Sequence, residues 1–160
     1  MSAIKHRRRL REKDCRKIMA EINQMLGCEI NIGDKPVDVG ELGEFQLLLN
    51  GSKVIGLIIN SRPFPSLRIL QEANPTKKFV EVDMGALKFI INGADVMKPG
   101  ITACDEEIIA GDIVWIRDCQ HKKPIAVGIA IEDGKHLLNK EKGKGVRTLH
   151  WVGDKIWEMW

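Results

Sequence analysis

The sequence predicts an α+β fold in which a helix packs on a small sheet and a partly closed β-barrel follows. Three observations carry this prediction. From about Arg7 to Leu26 apolar residues recur at helical spacing. Asn50-Gly51 then sits between two apolar runs, the strongest short-range signal for a hairpin. From Lys77 onward, short apolar runs return at turn-punctuated intervals with one helical pattern inserted early, which suits a small barrel.

The first helix, from about Arg7 to Leu26, sets Leu10, Ile18, Ile22, Met25 and Leu26 broadly on one side and stops at Gly27. Its opening turns hold Arg7, Arg8, Arg9 and Arg11, and positive charge there opposes the helix dipole. The conflict is relieved if the residues before Leu10 are a flexible arm. Arg7-Arg8-Arg9 then read equally as an arm that contacts phosphate or as solvated charge, while Lys13, Arg16 and Lys17 read as a solvated helix face. Glu29 to Ile32 and Pro36 to Val39 read as short strands. Phe45 to Leu49 and Lys53 to Ile59 flank Asn50-Gly51, a pair suited to a type I′ turn because both central residues need positive φ. Val54, Ile55, Leu57, Ile58 and Ile59 are apolar almost without alternation, so this strand is expected to be covered on both faces. Gly56 within it marks a bulge or a close backbone approach. Ser61 to Ser66 is the junction, held extended by Pro63 and Pro65, with Ser66 placed to cap a short helix from Leu67 to Ala73. Arg68 reads either as an RNA contact or as a salt bridge between the two halves, and the structural role carries more weight. The domains are set at 1–71 and 72–160.

Lys77 to Val82 reads as the first strand of the second domain. Asp83 is placed to cap a helix in which Leu87, Ile90 and Ile91 bury one face and Lys88 and Asn92 lie on other arcs. Gly93 ends that helix, and Pro99-Gly100 fits the central pair of a type II turn. Ile108 to Arg117 and Pro124 to Ile131 follow as strands, with Gly128 leaving a bare patch of backbone. A charged stretch, Glu132 to Lys144, contains a short helix near Leu137-Leu138. Val146 to Trp151 and Lys155 to Trp160 are expected to form a last hairpin.

The composition, 44% hydrophobic and 29% charged, is that of a globular chain and excludes a disordered or fibrous class. Net charge is only +3, but cations crowd two places, Lys5 to Lys17 and Lys135 to Arg147, which points to an anionic partner. No apolar run is long enough to cross a bilayer, and no secretory signal follows the basic start, so a cytoplasmic location and no membrane partner are expected. Cys15, Cys28, Cys104 and Cys119 lack CxxC spacing and a nearby His pair, so they read as small thiols in a reducing compartment rather than a metal site.

No catalytic constellation is visible. His6, His121, His136 and His150 sit in no nucleophile–base pattern, and Glu106-Glu107 would point apart on an extended segment. Lys142-Gly143-Lys144-Gly145 lacks the strand–loop–helix context of a phosphate-binding loop. The chain is therefore read as a non-enzyme without cofactor. For nucleic acid, Lys88, Lys98, Lys142, Lys144 and Arg147 supply charge, and Gly93-Ala94 and Pro99-Gly100 supply accessible backbone. Aromatic content is only 5%, so a broad stacking platform is not expected, and Trp115 reads as core.

Val82-Asp83-Met84-Gly85-Ala86, then Gly93-Ala94-Asp95-Val96-Met97 and Pro99-Gly100, resembles the opening of a PUA domain, an RNA-binding barrel module. The whole chain, through Pro65-Ser66-Leu67-Arg68 to Trp160, resembles the MCT (malignant T-cell-amplified-sequence) family of translation-associated proteins, and the short basic start and lack of tyrosine give it the look of an archaeal member. The resemblance implies a PUA-type pseudo-barrel at the C-terminal end and binding of structured RNA, tRNA acceptor end or small-subunit rRNA. It places an RNA contact in the loop Gly93, Ala94, Lys98, Pro99, Gly100 with Lys88 before it, and a second in Lys142, Lys144, Gly145 and Arg147. It also implies partnership with the small ribosomal subunit and, in eukaryotes, with a SUI-type translation protein. The alternative is a targeting or accessory subunit of an RNA-modifying enzyme.

Overall fold

The computed structural model describes residues 4–160. They form two compact units: the chain up to Pro75 together with Lys155–Trp160, and Thr76–Asp154.

In the first unit β1 (Lys5–Arg9), α1 (Glu12–Leu26), β2 (Asp38–Leu42), β3 (Phe45–Asn50), β4 (Lys53–Ile59), β5 (Arg62–Pro65) and α2 (Leu67–Ala73) follow in chain order. The five strands form one antiparallel sheet in sequence order. The helix starts at Glu12, not near Arg7, and the cationic residues before it form an edge strand. The dipole explains the change, since Glu12 and Asp14 now occupy the first turn, where negative charge is favoured. Arg7 Nε and Arg9 Nε instead donate to the two oxygens of Asp38, at 2.7 and 2.6 Å. Gly27 ends α1 in the left-handed conformation, as its sequence position predicts. The strand expected over Glu29 to Ile32 does not form. Ile30 N–H donates to Asn23 Oδ1 at 2.9 Å, and Ile30 and Ile32 pack against the sheet from a loop.

β4 is covered on both faces. Leu48 and Ile55 pack with Val37, Val39 and Ile69, while Leu47, Leu49, Val54 and Leu57 pack with Leu42 and Ile156. A bulge lies behind the missing alternation: Leu48 pairs with Gly56 but Leu49 with Val54, so Ile55 is an extra residue that resets the faces. Gly56 is also a close approach, since a Cβ there would stand 2.8 Å from the Phe64 carbonyl oxygen. The hairpin at Asn50-Gly51 exists, but its turn is shifted by one residue. Asn50 pairs with Lys53, so Gly51 and Ser52 are central, and Gly51 alone of these has positive φ (63°). That pattern belongs to a type II′ turn. Asn50 stays in the strand because its buried amide donates to the carbonyls of Ile32 (3.1 Å) and Lys35 (3.4 Å). The type I′ pattern occurs one strand later, at Asn60 (φ 50°) and Ser61 (φ 63°), and turns the chain into β5. Pro63 and Pro65 are tolerated there because β5 is an edge strand.

The last hairpin also does not form. Asp154 Oδ2 accepts from Trp151 N–H at 2.9 Å and lies 2.8 Å from His150 Nδ1, closing a turn, and Lys155–Trp160 joins the first unit. There Ile156 enters the core, and Arg68 lies 3.5 Å from the Trp157 ring centroid and donates to the Trp157 carbonyl. Arg68 is thus a clamp on the returning chain.

The second unit contains β6 (Phe79–Val82), α3 (Met84–Ile90), β7 (Val96–Met97), β8 (Ile101–Cys104), β9 (Ile113–Asp118), β10 (Pro124–Ala130), α4 (Gly134–Leu137) and β11 (Lys144–Trp151). Its sheet order is β7-β11-β10-β9-β6-β8, with β6 and β9 parallel and the other pairs antiparallel. The outermost strands, β7 and β8, are joined by Lys98–Gly100 alone, so the six strands make a nearly closed barrel. Val80, Val82, Ile101, Val114, Ile116, Ala126 and Val146 fill it. Trp115 is buried, and its Nε1 donates to the Lys77 carbonyl at 2.7 Å, so it is core as expected. Gly128 faces a crossing so tight that a Cβ would lie 2.4 Å from the Arg147 carbonyl oxygen. Among the described residues, no helix is long and apolar enough to cross a membrane.

Candidate nucleic-acid interface

The site is built by α3, the loop after it and the start of β11. Asp83 Oδ1 accepts from Ala86 N–H at 2.8 Å, the N-cap bond that the sequence predicts. Ile90 is buried against the barrel, whereas Phe89, one residue earlier, points outward and is 61% exposed. Gly93 (φ 91°) ends the helical segment, and a Cβ there would stand 2.9 Å from the Trp151 ring. Its close approach is therefore to the protein's own tryptophan. Lys98-Pro99-Gly100 is a 3-10 turn, not the expected type II turn, because Gly100 does not take a positive φ. Glycine is needed there for space: a Cβ would meet the Ala86 Cβ at 3.0 Å.

Between these parts lies a groove of about 590 Å³ lined by Asp83, Gly85, Ala86, Phe89, Ile90, Ala94, Asp95, Met97, Pro99, Gly100 and Lys144. Its loop is pinned from β11, where Thr148 Oγ1 donates to the Ala94 carbonyl and Thr148 N–H to Asp95 Oδ1, both at 2.9 Å. Lys144 Nζ lies 3.0 Å from Asp95 Oδ2. Burial alone would raise the Asp95 pKa, but hydrogen bonds from Lys144 and the Thr148 amide, with the nearby Arg147 charge, outweigh it and hold the carboxyl below its usual range.

Of the residues singled out from sequence, Ala94, Pro99, Gly100 and Lys144 line the groove. Lys88, beside Phe89, and Lys142 and Arg147, flanking Lys144, are exposed. Gly145 is buried beneath, where a Cβ would stand 2.9 Å from Ile101 Cδ1. Lys98 is the exception among the cations. Its side chain is 5% exposed and its Nζ stands 2.9 Å from Glu132 Oε2, so its charge is engaged inside the fold. Arg7, Arg8 and Arg9 lie on the exposed strand β1 of the other unit, two of them bound to Asp38. Phe89, Met97, Asp83 and Asp95 also line the groove but were not singled out as site residues. Phe89 could have been, because it falls off the helix face that Leu87 and Ile90 share. Among the described residues no group of three or more His, Cys, Asp or Glu side chains is arranged to hold a metal ion. The cysteines are free thiols, and burial first, then the charges of Asp105 and Glu106, push Cys104 up to about 11.

A PUA domain is matched over residues 78–152, within the second unit. An uncharacterized protein of Methanocaldococcus jannaschii is 41% identical over 158 residues, 98% of both chains. The chain belongs to the MCT-like family of PUA-domain proteins. Translation machinery-associated protein 20 of Schizosaccharomyces pombe is 28% identical, and the malignant T-cell-amplified sequence 1 homolog of Drosophila melanogaster 32%, each over 118 residues. Those matches cover 71% of this chain and 65% of either relative. A solved structure of a hypothetical protein from Pyrococcus horikoshii superposes with a TM-score of 0.79 at 34% identity, covering 95% of this chain and 98% of that one. This member of the family thus carries both a PUA module and a helix–sheet unit, and its relatives include translation-associated proteins. None of these names is that of an enzyme.

Proposed function

We propose that this protein is a non-catalytic RNA-binding factor of the cytoplasmic translation apparatus, taking structured RNA on the PUA unit. The tRNA acceptor end is the first target and small-subunit rRNA the second, with the small ribosomal subunit and a SUI-type protein as the larger partners. The observation that carries the reading is the groove between α3 and β11, walled by Ala94, Pro99 and Gly100, with exposed Lys88, Lys142 and Arg147 beside it. Small residues let a nucleotide approach the backbone, and the exposed cations meet phosphates, which position the RNA without reading its sequence. Lys144 adds charge at the groove but shares it with Asp95. On β1, Arg8 extends the reading to a second contact, since Arg7 and Arg9 are held by Asp38.

The deciding experiment compares a full tRNA with one lacking its 3′-terminal nucleotides at two salt concentrations. Stronger binding of the full tRNA, weakening steeply with salt, is the expected result. Equal affinity for both removes the acceptor end as the target, and absence of any binding at low salt removes the RNA-binding reading.

A further inference from the structure

The polar walls of the groove are not what a phosphate pocket requires. Two carboxylates, Asp83 and Asp95, line it against one ammonium, and that ammonium lies 3.0 Å from Asp95. A phosphate placed inside would face the uncompensated charge of Asp83. The remaining wall is apolar, and at its lip stands Phe89, 61% exposed, with Met97, 47% exposed, also on the lining. An exposed phenylalanine is costly to leave in water, and this chain has only four.

We infer that the groove admits one unpaired nucleobase, stacked on Phe89, with an exocyclic amine of the base donating to Asp83. This rests on the RNA-binding reading above and specifies its chemistry. Asp83 lines the groove; its Oδ1 is taken by the Ala86 amide, and among the described residues its Oδ2 has no partner, which leaves one carboxylate oxygen of this wall open to a donor. Adenine, cytosine and guanine each offer an exocyclic amine to such an acceptor, and uracil offers none. Lys88 Nζ lies 5.6 Å from the Phe89 ring centroid, where it meets the phosphate of the stacked nucleotide outside the groove. Base inside and phosphate outside is the arrangement that the charges favour. Stacking on one aromatic is compatible with the low aromatic content, because a single base needs a single ring.

The test uses the full chain and five versions of one RNA hairpin, blunt or with a single 3′ overhang of A, C, G or U, followed by fluorescence anisotropy. The three amine-bearing overhangs should bind about tenfold more tightly than U, and U, which still stacks on Phe89, more tightly than the blunt hairpin. Phe89→Ala should lose about tenfold on all four overhangs and little on the blunt hairpin, and its exposed position leaves folding intact. Asp83→Asn keeps the helix cap, since Asn also caps well, but should erase the discrimination against U. Equal affinity of wild type for all five hairpins overturns the inference while leaving RNA binding standing. No measurable binding of any hairpin or of tRNA overturns both. If Asp83→Asn discriminates as wild type does, the assignment of Asp83 is overturned.

Discussion

Replacing Lys98 by methionine separates a structural lysine from an RNA-binding one. The aliphatic stem runs beside Gly145, where a Cβ would stand 3.3 Å from Lys98 Cγ, so methionine keeps the packing and removes only the charge. At the 2.9 Å separation from Glu132, Coulomb's law with an effective dielectric of about 20 gives about 6 kcal/mol of attraction. Desolvation of an ammonium that is 5% exposed cancels much of this, and Glu132, 35% exposed, regains some water once its partner is gone. The net loss should be about 2–3 kcal/mol. With a urea dependence of about 2 kcal/mol per molar, the unfolding midpoint of the PUA unit should fall by about 1 M. Pairing the change with Glu132→Gln should recover part of the loss, because no unpaired charge then remains in the fold. RNA affinity of the folded variant should match wild type. An unchanged midpoint together with a several-fold loss of RNA affinity would refute the reasoning and return Lys98 to the interface.

Further consequences can be measured independently. Asp38 is held below the ordinary carboxylate range chiefly by hydrogen bonds from Arg7 and Arg9. Its folded pKa lies below its unfolded value, so its stabilisation is complete above that value and fades as pH drops below about 4. Urea titrations of wild type and Asp38→Asn between pH 6 and 3 should converge at the acid end. Gly128→Ala forces a Cβ to 2.4 Å from the Arg147 carbonyl oxygen and should destabilise the barrel by about 3 kcal/mol, visible as a lower thermal midpoint by circular dichroism. Arg68→Ala removes the stacking on Trp157 and two hydrogen bonds to its carbonyl, with a loss of about 2 kcal/mol and faster amide exchange over residues 155–160. Replacing exposed Lys142 and Arg147 together by alanine should lower the salt slope of RNA binding by about 2 without shifting thermal stability.

Local chemistry was legible wherever neighbours in the chain decide it. The Asp83 cap, the Gly27 and Gly93 helix stops and the covered strand β4 follow from residues a few positions apart. What escaped depends on partners far away. Arg7 and Arg9 extend the helical pattern on paper because nothing nearby reveals Asp38, 29 to 31 residues on; the opposed dipole was the one warning. Asn50 looks like a turn residue until the carbonyls of Ile32 and Lys35 claim its amide. Asn60-Ser61 carries the I′ geometry but was masked by the two prolines that follow, whose extended preference suits an edge strand as well as a linker. Lys98 reads as a surface cation because its burial depends on Glu132, 34 positions later. The groove was half legible: its small residues and Lys144 follow from the loop pattern and Phe89 is hinted at by its place off the buried helix face, whereas the acidic lining emerges only from the fold.

The return of Lys155–Trp160 to the first unit has a consequence for the order of assembly during synthesis. Residues 76–154 contain every strand of their barrel, so that unit can close as soon as it has left the ribosome. The sheet of the first unit is made earlier but lacks Ile156 and Met159 against one face, and Trp157 under Arg68, until residues 155–160 emerge. The contact between Arg68 and Trp157 spans 89 positions, a separation that must be closed late. The half translated first is therefore the half completed last, and until then it exposes Leu47, Leu49 and Leu57 on a sheet face that later becomes core.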